Sequence, residues 1–495
     1  MSWQIGTPNT GDALAALSPD SVRILWQKTV DMMDQTEDFF AQFEGSDKNS
    51  PVLVINDMSV NAGLKFRVTT RSGYYGPGKS GDNLFVNSAD FEVDNISNYE
   101  IDADFLRDAT SITARTDEYM GMRGELAAGQ AAELGKWMGR EKSARLAMTL
   151  VLKGGTKNLI YGGGKSSEDL LKTADGFTYQ DVLMGGQTLK PLGGQPARTA
   201  MVRGTDVLKY LVVGTTPSLF SLKQDPVYQS LLTTSMPREN YDVNPLFQGG
   251  YAELDGHSIR EYNPIDHDGY GPIGSWFSPK AFLSTAITPG TAAFNITGGG
   301  ILPGAAALTN IQYFRFFPNY AFQFLPNDTY VPGSDQKYLL IVNSKTDSVA
   351  PGKVGMYGYT TGNNGNLITI NKRLAPVQNG PVAMVTLGNV TYNTGVWSGY
   401  HTQNHDVGST IVACNAYGVP IGDTVMLGAR AVIRGYGSMR NKRTQWMVDG
   451  EFETRKYITS VFGQGLRKNV IGVAPGFVRI RTAINYPELG LPTVT

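Results

Sequence analysis

The stretch FEVDNISNYEIDADFLRDATSITARTDEYMGMRGELAAGQAAELGKWMGRE, residues 91–141, carries two periodicities in succession. At its start Phe91 and Val93, then Tyr99, Ile101, Ala103 and Phe105, alternate with Glu92, Asp94, Glu100, Asp102 and Asp104. Period two is the pattern of a half-exposed strand. From about Asp104 to Leu152 the spacing becomes helical, with Met122, Leu126, Leu134, Trp137, Met138, Leu146 and Leu150 on or near one stripe. Glycines at 121, 124, 129, 135 and 139 each weaken that helix by up to ~1 kcal/mol relative to alanine. The helix is therefore expected to persist through packing, with the glycines permitting close approach, and to end at Gly154-Gly155.

Upstream, Leu64, Phe66 and Val68 alternate with Lys65 and Arg67, so a second strand precedes the first. Between the two lies Gly73-Tyr-Tyr-Gly-Pro-Gly-Lys-Ser80, which fits the phosphate-loop pattern at every position. That loop binds nucleotide only between an all-apolar buried strand and a helix whose N-terminus faces the phosphates. Here the preceding strand alternates, Gly81-Asp-Asn-Leu follows, and the apolar run Pro51-Val-Leu-Val-Ile lies before the loop with Asn56 ahead of Asp57. Residues 73–81 therefore read as the glycine- and proline-rich tip of a two-stranded excursion, with no nucleotide chemistry.

At the N-terminal end, Ser18-Pro19-Asp20 marks a helix start, and Val22, Leu25, Trp26, Val30, Met33, Phe40 and Phe43 give an amphipathic helix. Beyond Gly155 the chain reads as mixed α/β with short elements. Asn363-Asn364-Gly365-Asn366, Asn379-Gly380 and Tyr338-Leu-Leu-Ile-Val342 point to hairpins in a β-rich insertion over 285–410. Mixed character returns at Val425–Ala431, and strand-like Tyr457–Phe462 and Phe477–Ala483 close the chain.

The 495 residues are 41% hydrophobic and 18% charged, enough for real cores, and the net charge of −1 gives no overall pull toward nucleic acid or anionic membrane. The charge is unevenly placed: residues 1–150 hold 22 acids and 14 bases, whereas residues 421–495 hold 5 acids and 11 bases. Such polarity suits contact between parts of one molecule or between neighbouring copies. A single cysteine, Cys414, excludes an intrachain disulfide and fits a reducing compartment. MSWQIGTPNTGD lacks the basic flank and apolar core of a signal peptide, and no run of eighteen apolar residues is present.

Candidate chemistry is sparse. His401 and His405 have the i, i+4 spacing of a zinc pair, but their surroundings are not helical. Asp266-His267-Asp268 reads as a solvated turn, and Cys414 among Ile411, Val412 and Ala413 as a buried small hydrophobe. Arg434, Arg440, Lys442 and Arg443, interleaved with Tyr436 and Trp446, read as a basic subunit edge meeting the acidic N-terminal third, ahead of a phosphate contact. The many carboxylates of 90–118 alternate toward solvent and form no acid–base pair. No catalytic, cofactor-binding or metal-binding residue is assigned.

The order of elements, with residues 91–141 above, DPVYQSLLTTSMPRENYDVNPLFQGGYAELDGHSIREY (225–262), VMLGARAVIRGYG (425–437) and GLRKNVIGVAPGFVRIRTA (465–483), resembles the major capsid proteins of tailed phages with the Hong Kong 97-type fold. Within them it looks most like the capsid proteins of N4-like phages. It departs from them at Arg455-Lys456, where an aspartate commonly precedes the tyrosine near Tyr457, and residues 285–410 match nothing in the family. The resemblance implies an α+β fold with an N-terminal arm (1–60), an extended two-stranded loop (61–105), a spine helix of a peripheral domain (106–155), a peripheral and axial α/β body (156–284), the β-rich insertion (285–410), and the axial end with C-terminal peripheral strands (411–495). It further implies a structural, non-enzymatic protein. Its copies would form pentamers and hexamers of an icosahedral shell, assembled in the host cytoplasm around double-stranded DNA held without sequence-specific contact. Portal, scaffolding or decoration proteins are the further partners, and no membrane is involved. The loop would lie over the neighbouring subunit, which makes Lys65, Phe66, Arg67, Gly76, Pro77, Gly78, Lys79, Asn83, Arg467 and Lys468 the inter-subunit contact candidates. Some such shells join a loop lysine to an asparagine, for which Asn469 would be the acceptor here, although non-covalent pairing is the preferred expectation. The rival reading from another class is a β-rich carbohydrate-active enzyme or glycan-binding protein, prompted by the Tyr, Trp, Asn and Gly of 355–405.

Overall fold

The computed structural model describes residues 32–55, 65–71, 96–113, 125–153, 158–202, 205–235, 253–254, 256–262, 280–282, 294–297, 300–301, 337–342, 354–361, 367–373, 385–387, 390–392, 410–415, 418–437, 442–448, 453–469 and 472–486. The chain divides into two compact units, Met1–Leu146 with Arg430–Val473, and Ala147–Ala429 with Ala474–Thr495. Both mix helix and strand, numbered below along the chain.

The first unit is built on a seven-stranded sheet. Its order is β1 (Glu44–Gly45), β2 (Val52–Ile55), β20 (Val432–Tyr436), β22 (Glu453–Leu466), β4 (Ile96–Thr113) and β3 (Lys65–Arg71), with β21 (Lys442–Val448) also pairing to β22. Strict alternation along β22 gives it two faces: Lys456, Ile458, Ser460 and Phe462 are buried, whereas Arg455 is exposed and Tyr457, Thr459 and Val461 are half-buried. The buried face meets the long helix α1 (Glu125–Lys153), whose Ala131, Leu134 and Met138 pack against Leu106, Tyr436, Ile458 and Phe462, with Val54 and Trp137 at the margin. Burying each of the larger side chains stabilises by about 1.5–3 kcal/mol, which is how a helix with several glycines survives.

Two expectations for this unit are corrected. The helix expected from about Asp104 begins at Glu125, because residues 103–113 continue β4 and pair antiparallel with Glu453–Gly463 of β22. Thr110, Ile112 and Thr113 are β-branched and suit the strand. The two-stranded pairing expected over 61–105 is accordingly Lys65–Arg71 against Ile96–Asp102, after which β4 changes partner. The N-terminal helix expected to run through Phe43 is helical at 32–37, breaks at Asp38, and resumes as the 3-10 turn Phe39–Phe43, capped by the Asp38 carboxylate accepting from the Phe40 N–H. Its expected start at Ser18 lies outside the described residues.

The second unit holds another seven-stranded sheet, in the order β5 (Leu159–Tyr161), β23 (Phe477–Ala483), β19 (Ile421–Leu427), β7 (Thr205–Gly214), β9 (His257–Glu261) and β8 (Glu253–Leu254), with β6 (Ala197–Val202) paired to β7. Helices α2 (Tyr179–Leu189), α3 (Thr216–Gln224) and α4 (Pro226–Ser235) accompany it. Phe177, Val182, Leu189, Val212, Leu219, Tyr228, Met426, Val478 and Ile480 form its core. Every residue of β19 and β23 is buried, and their charged members Asp423 and Arg481 pair with each other. The two stretches expected as closing strands are both strands and belong to different sheets, β22 in the first unit and β23 here.

A third seven-stranded sheet lies within the second unit, all antiparallel: β10 (Lys280–Phe282), β18 (Thr410–Cys414), β13 (Lys337–Val342), β14 (Val354–Thr361), β15 (Leu367–Arg373), β11 (Phe294–Thr297) and β12 (Gly300–Ile301). A separate hairpin joins β16 (Val385–Leu387) to β17 (Val390–Tyr392). The entering strand β10 pairs with the leaving strand β18, Phe282 opposite Thr410, so the β-rich module spans 280–414 and not the expected 285–410.

Candidate functional site

The strongest electrostatic feature of the first unit is a buried clamp that fastens the N-terminal segment to α1 and β20. Arg434, fully buried on β20, donates through one guanidinium nitrogen to Asp38 Oδ2 at 2.5 Å and Glu44 Oε1 at 2.6 Å. Tyr436 donates its hydroxyl to the same Glu44 oxygen at 2.8 Å. Asp38 is also gripped from α1, where Ser143 Oγ donates to its Oδ1 at 2.6 Å and receives the Phe39 N–H at 2.9 Å. One turn away, Lys142 donates to Asp34 Oδ2 at 2.7 Å with both side chains inaccessible to solvent, and Arg140 reaches Glu37 at 3.1 Å.

The helix can approach so closely because residue 139 is glycine. A Cβ there would stand 2.4 Å from the Asp34 carbonyl oxygen and 2.9 Å from the Asp38 nitrogen. Burial alone would pull the Arg434 guanidinium down, but Asp38, Tyr436 and Glu44 outweigh it and hold the group above its ordinary value. Arg434 thus does meet the acidic N-terminal third, as the charge distribution suggested, and it does so inside its own chain. Strand logic could have found it: in Val432-Ile-Arg-Gly-Tyr436, Arg434 shares a face with Val432 and Tyr436 and must point inward.

A second buried set braces the other unit. Arg481 donates to both oxygens of Asp423, at 2.9 and 3.1 Å, and to Glu168 at 2.7 Å, while Arg479 donates to the Val151 carbonyl. Arg434, Lys456, Arg479 and Arg481, four of the eleven bases of residues 421–495, are buried, and Asp423 and Glu168 hold Arg481 protonated above its ordinary value despite that burial.

The expected contact residues are placed only in part. Lys65, Phe66 and Arg67 stand on β3 opposite Asp102, Ile101 and Glu100 of β4. Gly76, Pro77, Gly78, Lys79 and Asn83 lie outside the described residues. Arg467, half-buried, and Lys468, exposed, follow β22, and the Arg467 N–H is bound to the Ala431 carbonyl. Asn469 closes the next turn, its side-chain oxygen accepting from the Val473 N–H at 2.9 Å. Arg440, His267, His401 and His405 are likewise outside the described residues. His257 is buried beside Tyr210, with ring centroids 5.7 Å apart. Cys414 is buried as expected, and burial, with Glu168 adding, pushes its thiol well up. Among the described residues no group of three His, Cys, Asp or Glu can hold a metal ion, and no helix is long and apolar enough to cross a membrane.

The side of β4 turned away from α1 is exposed from Phe105 to Ser111, whereas Ile101 and Ala103 of the same alternation are buried. Phe105, Arg107, Ala109 and Ser111 of β4 are exposed on it. Each lies directly opposite a β22 residue: Val461, Thr459, Tyr457 and Arg455 respectively.

No protein-family model matches this chain, and no curated protein matches it in sequence. Its fold does match solved structures. The capsid protein of Ralstonia phage GP4 aligns over 91% of this chain and 92% of its own, with a TM-score of 0.50 at 11% identity. The capsid asymmetric unit of cyanophage Pam1 gives a TM-score of 0.50 at 12% identity, over 90% of this chain and 92% of that one. At such identities the likeness is one of fold: over about nine-tenths of its length the chain shares the architecture of these phage capsid proteins.

Proposed function

We propose that the protein is the major capsid protein of a tailed phage, with the Hong Kong 97-type fold and closest in kind to the N4-like capsid proteins. The observation that carries the reading is the fold shared with two phage capsid proteins over nine-tenths of both chains. The antiparallel pairing of β3 with β4, followed by a 29-residue helix packed on a sheet, agrees with it. Copies of the chain assemble into hexamers and pentamers of an icosahedral shell in the host cytoplasm, with the two-stranded loop of 61–105 reaching a neighbour through Lys79, Asn83 and the Gly76-Pro77-Gly78 tip. The role is structural and not catalytic. The shell encloses double-stranded DNA without reading its sequence, and portal, scaffolding or decoration proteins complete it. Negative-stain microscopy of the expressed protein tests this: shells or capsomers are expected. A compact monomer at every concentration and salt condition overturns the reading and returns weight to a carbohydrate-active or glycan-binding protein.

A further inference from the structure

The two sides of the buried clamp are held in different ways. One side is a seat made by α1, β20 and β22, and its members grip one another without help from the N-terminal segment. Arg434 Nε donates to Gln464 Oε1 at 3.3 Å, Gln464 Nε2 donates to the Lys142 carbonyl at 3.3 Å, and Lys142 Nζ stands 5.3 Å over the Tyr436 ring. The other side is a strap, residues 32–45. Its Asp34, Asp38, Phe40 and Phe43 are buried, whereas Gln35, Thr36 and Gln42 are exposed. Asp34, Glu37, Asp38 and Glu44 of the strap pair with Arg140, Lys142 and Arg434 of the seat. The backbone N–H groups of Asp38 and Ala41 are bonded within the strap, and that of Phe39 goes to a side chain, Ser143 Oγ. Ladder pairing enters only with the two residues of β1, and the turn that follows exposes Ser46 and Lys48.

We infer that the seat is a preformed slot for an acidic and aromatic segment, and that residues 32–45 dock in it and leave it as one unit, a latch on α1. The frame survives departure of the strap. Arg434 keeps Gln464, Lys142 keeps the Tyr436 ring, and water reaches both cations, so neither is left as a dry unpaired charge. Recognition rests on charge complementarity around two deep anchors, Phe40 and Phe43, both almost inaccessible to solvent. Aromatic anchors in a desolvated pocket are how a binding site concentrates its energy. Gly139 completes the slot by leaving room for the Asp34 carbonyl, which a side chain at that position would displace. A core strand has no such division, because its backbone carries the ladder that joins it to its neighbours. The inference is independent of the capsid reading: it makes the N-terminal segment a movable element of the first unit, whatever the protein assembles into.

The test keeps the full-length chain whole until it has folded. A specific protease site is inserted after Lys48, the folded protein is cut, and size-exclusion chromatography follows the N-terminal fragment. The fragment should stay bound in concentrated solution and be lost on dilution, because cutting turns docking within one molecule into a bimolecular equilibrium. A fluorescein-labelled synthetic peptide of residues 32–48 should then take its place, read by anisotropy, while the far-UV circular dichroism of the body is unchanged. Changes made in the peptide leave the body as it is. Asp38→Asn in the peptide should weaken binding about a hundredfold, the order of loss when one partner of a buried pair is removed. Gln35→Ala, at an exposed position, should bind as the wild-type peptide does. A fragment that leaves only with global denaturation overturns the inference, as does a body that unfolds on losing the fragment or takes up no peptide. Equal binding of the Asp38→Asn and Gln35→Ala peptides also overturns it, since the slot would then not read the acids. Capsomer formation is scored on the uncut protein, and its failure counts against the capsid reading alone.

Discussion

Arg434 and Asp38 are 396 positions apart in sequence and 2.5 Å apart in the fold, both wholly removed from solvent. A charge so buried is tolerable only while its partners are present, since the desolvation cost of one unpaired ion is several kcal/mol.

Asp38→Ala should therefore destabilise the protein by about 3–5 kcal/mol, the usual loss when one partner of a buried pair is removed. Adding Arg434→Met should recover part of that loss, because the stranded charge disappears with it. The exposed Glu133–Lys136 pair on α1 is the control, and deleting it should cost less than ~0.5 kcal/mol. Guanidinium midpoints decide the matter. Equal effects for the buried and exposed pairs would remove the clamp from the account.

Gly139 and Gly129 lie on the same helix and should respond oppositely to alanine. At 139 the new methyl would meet the backbone of residues 34 and 38, which cannot step aside as a side chain can. A loss of about 1–3 kcal/mol is expected, against helix propensity. At 129 nothing lies within 4 Å, so Gly129→Ala should gain up to ~1 kcal/mol. Thermal melts of the two variants check this, and a stabilising Gly139→Ala would show that the N-terminal segment is not seated on α1.

Asp181 provides a pH signature. It caps α2, accepting from the Thr178 N–H and Oγ1–H at 2.9 Å each and from the Gly163 N–H at 3.2 Å, yet burial outweighs these bonds and raises its carboxyl above the usual 3.8. Between those two values the folded form keeps a proton that the unfolded form has lost, so stability falls as pH rises through the window. Asp181→Asn cannot titrate. The stability of the wild type relative to that variant should decline from pH 4 upward, measured by denaturant midpoints at successive pH values. A constant difference would contradict the direction of the shift.

Much of the fold could be read from periodicity, and the failures have physical causes. Tyr99 to Phe105 alternates cleanly, but further along β4 the side facing α1 carries Leu106, Asp108 and Thr110 and the open side carries Arg107, Ala109 and Ser111. With half-buried polar residues inside and an alanine outside, the period-two signal disappears and the stretch reads as the approach to a helix. The clamp left no local trace either: its acids lie at 34–44 and its bases at 142 and 434, and only the inward-pointing position of Arg434 betrays it. Charge asymmetry between the chain ends was legible, whereas its resolution within one molecule needed three dimensions. Arg467 and Lys468 show charge but no partner in sequence, and the structure adds that Arg467 is half-buried with its N–H bound to the Ala431 carbonyl and that Lys468 is exposed.

The β-rich module offers the last test, and its design follows from register. Phe282 lies directly opposite Thr410, the geometry that a two-residue Asn-Gly turn closes. Replacing residues 283–409 by Asn-Gly should leave β10 and β18 as a short hairpin and spare Asn415, whose side-chain amide holds the Glu168 and Leu171 carbonyls at 3.1 and 2.9 Å. The shortened chain is expected to stay soluble, to keep the far-UV signature of mixed structure and to form capsomers. Cys414 reports on the surgery. In the intact protein its thiol is fully buried and pushed up, so a thiol reagent should label it only on unfolding. Removing β13, whose Tyr338 lies opposite Cys414, uncovers one edge of β18 and should make the native thiol reactive. A shortened chain that is wholly insoluble while the intact one is soluble would mean that the module is part of the core. A thiol as protected as before would mean that β13 does not cover it.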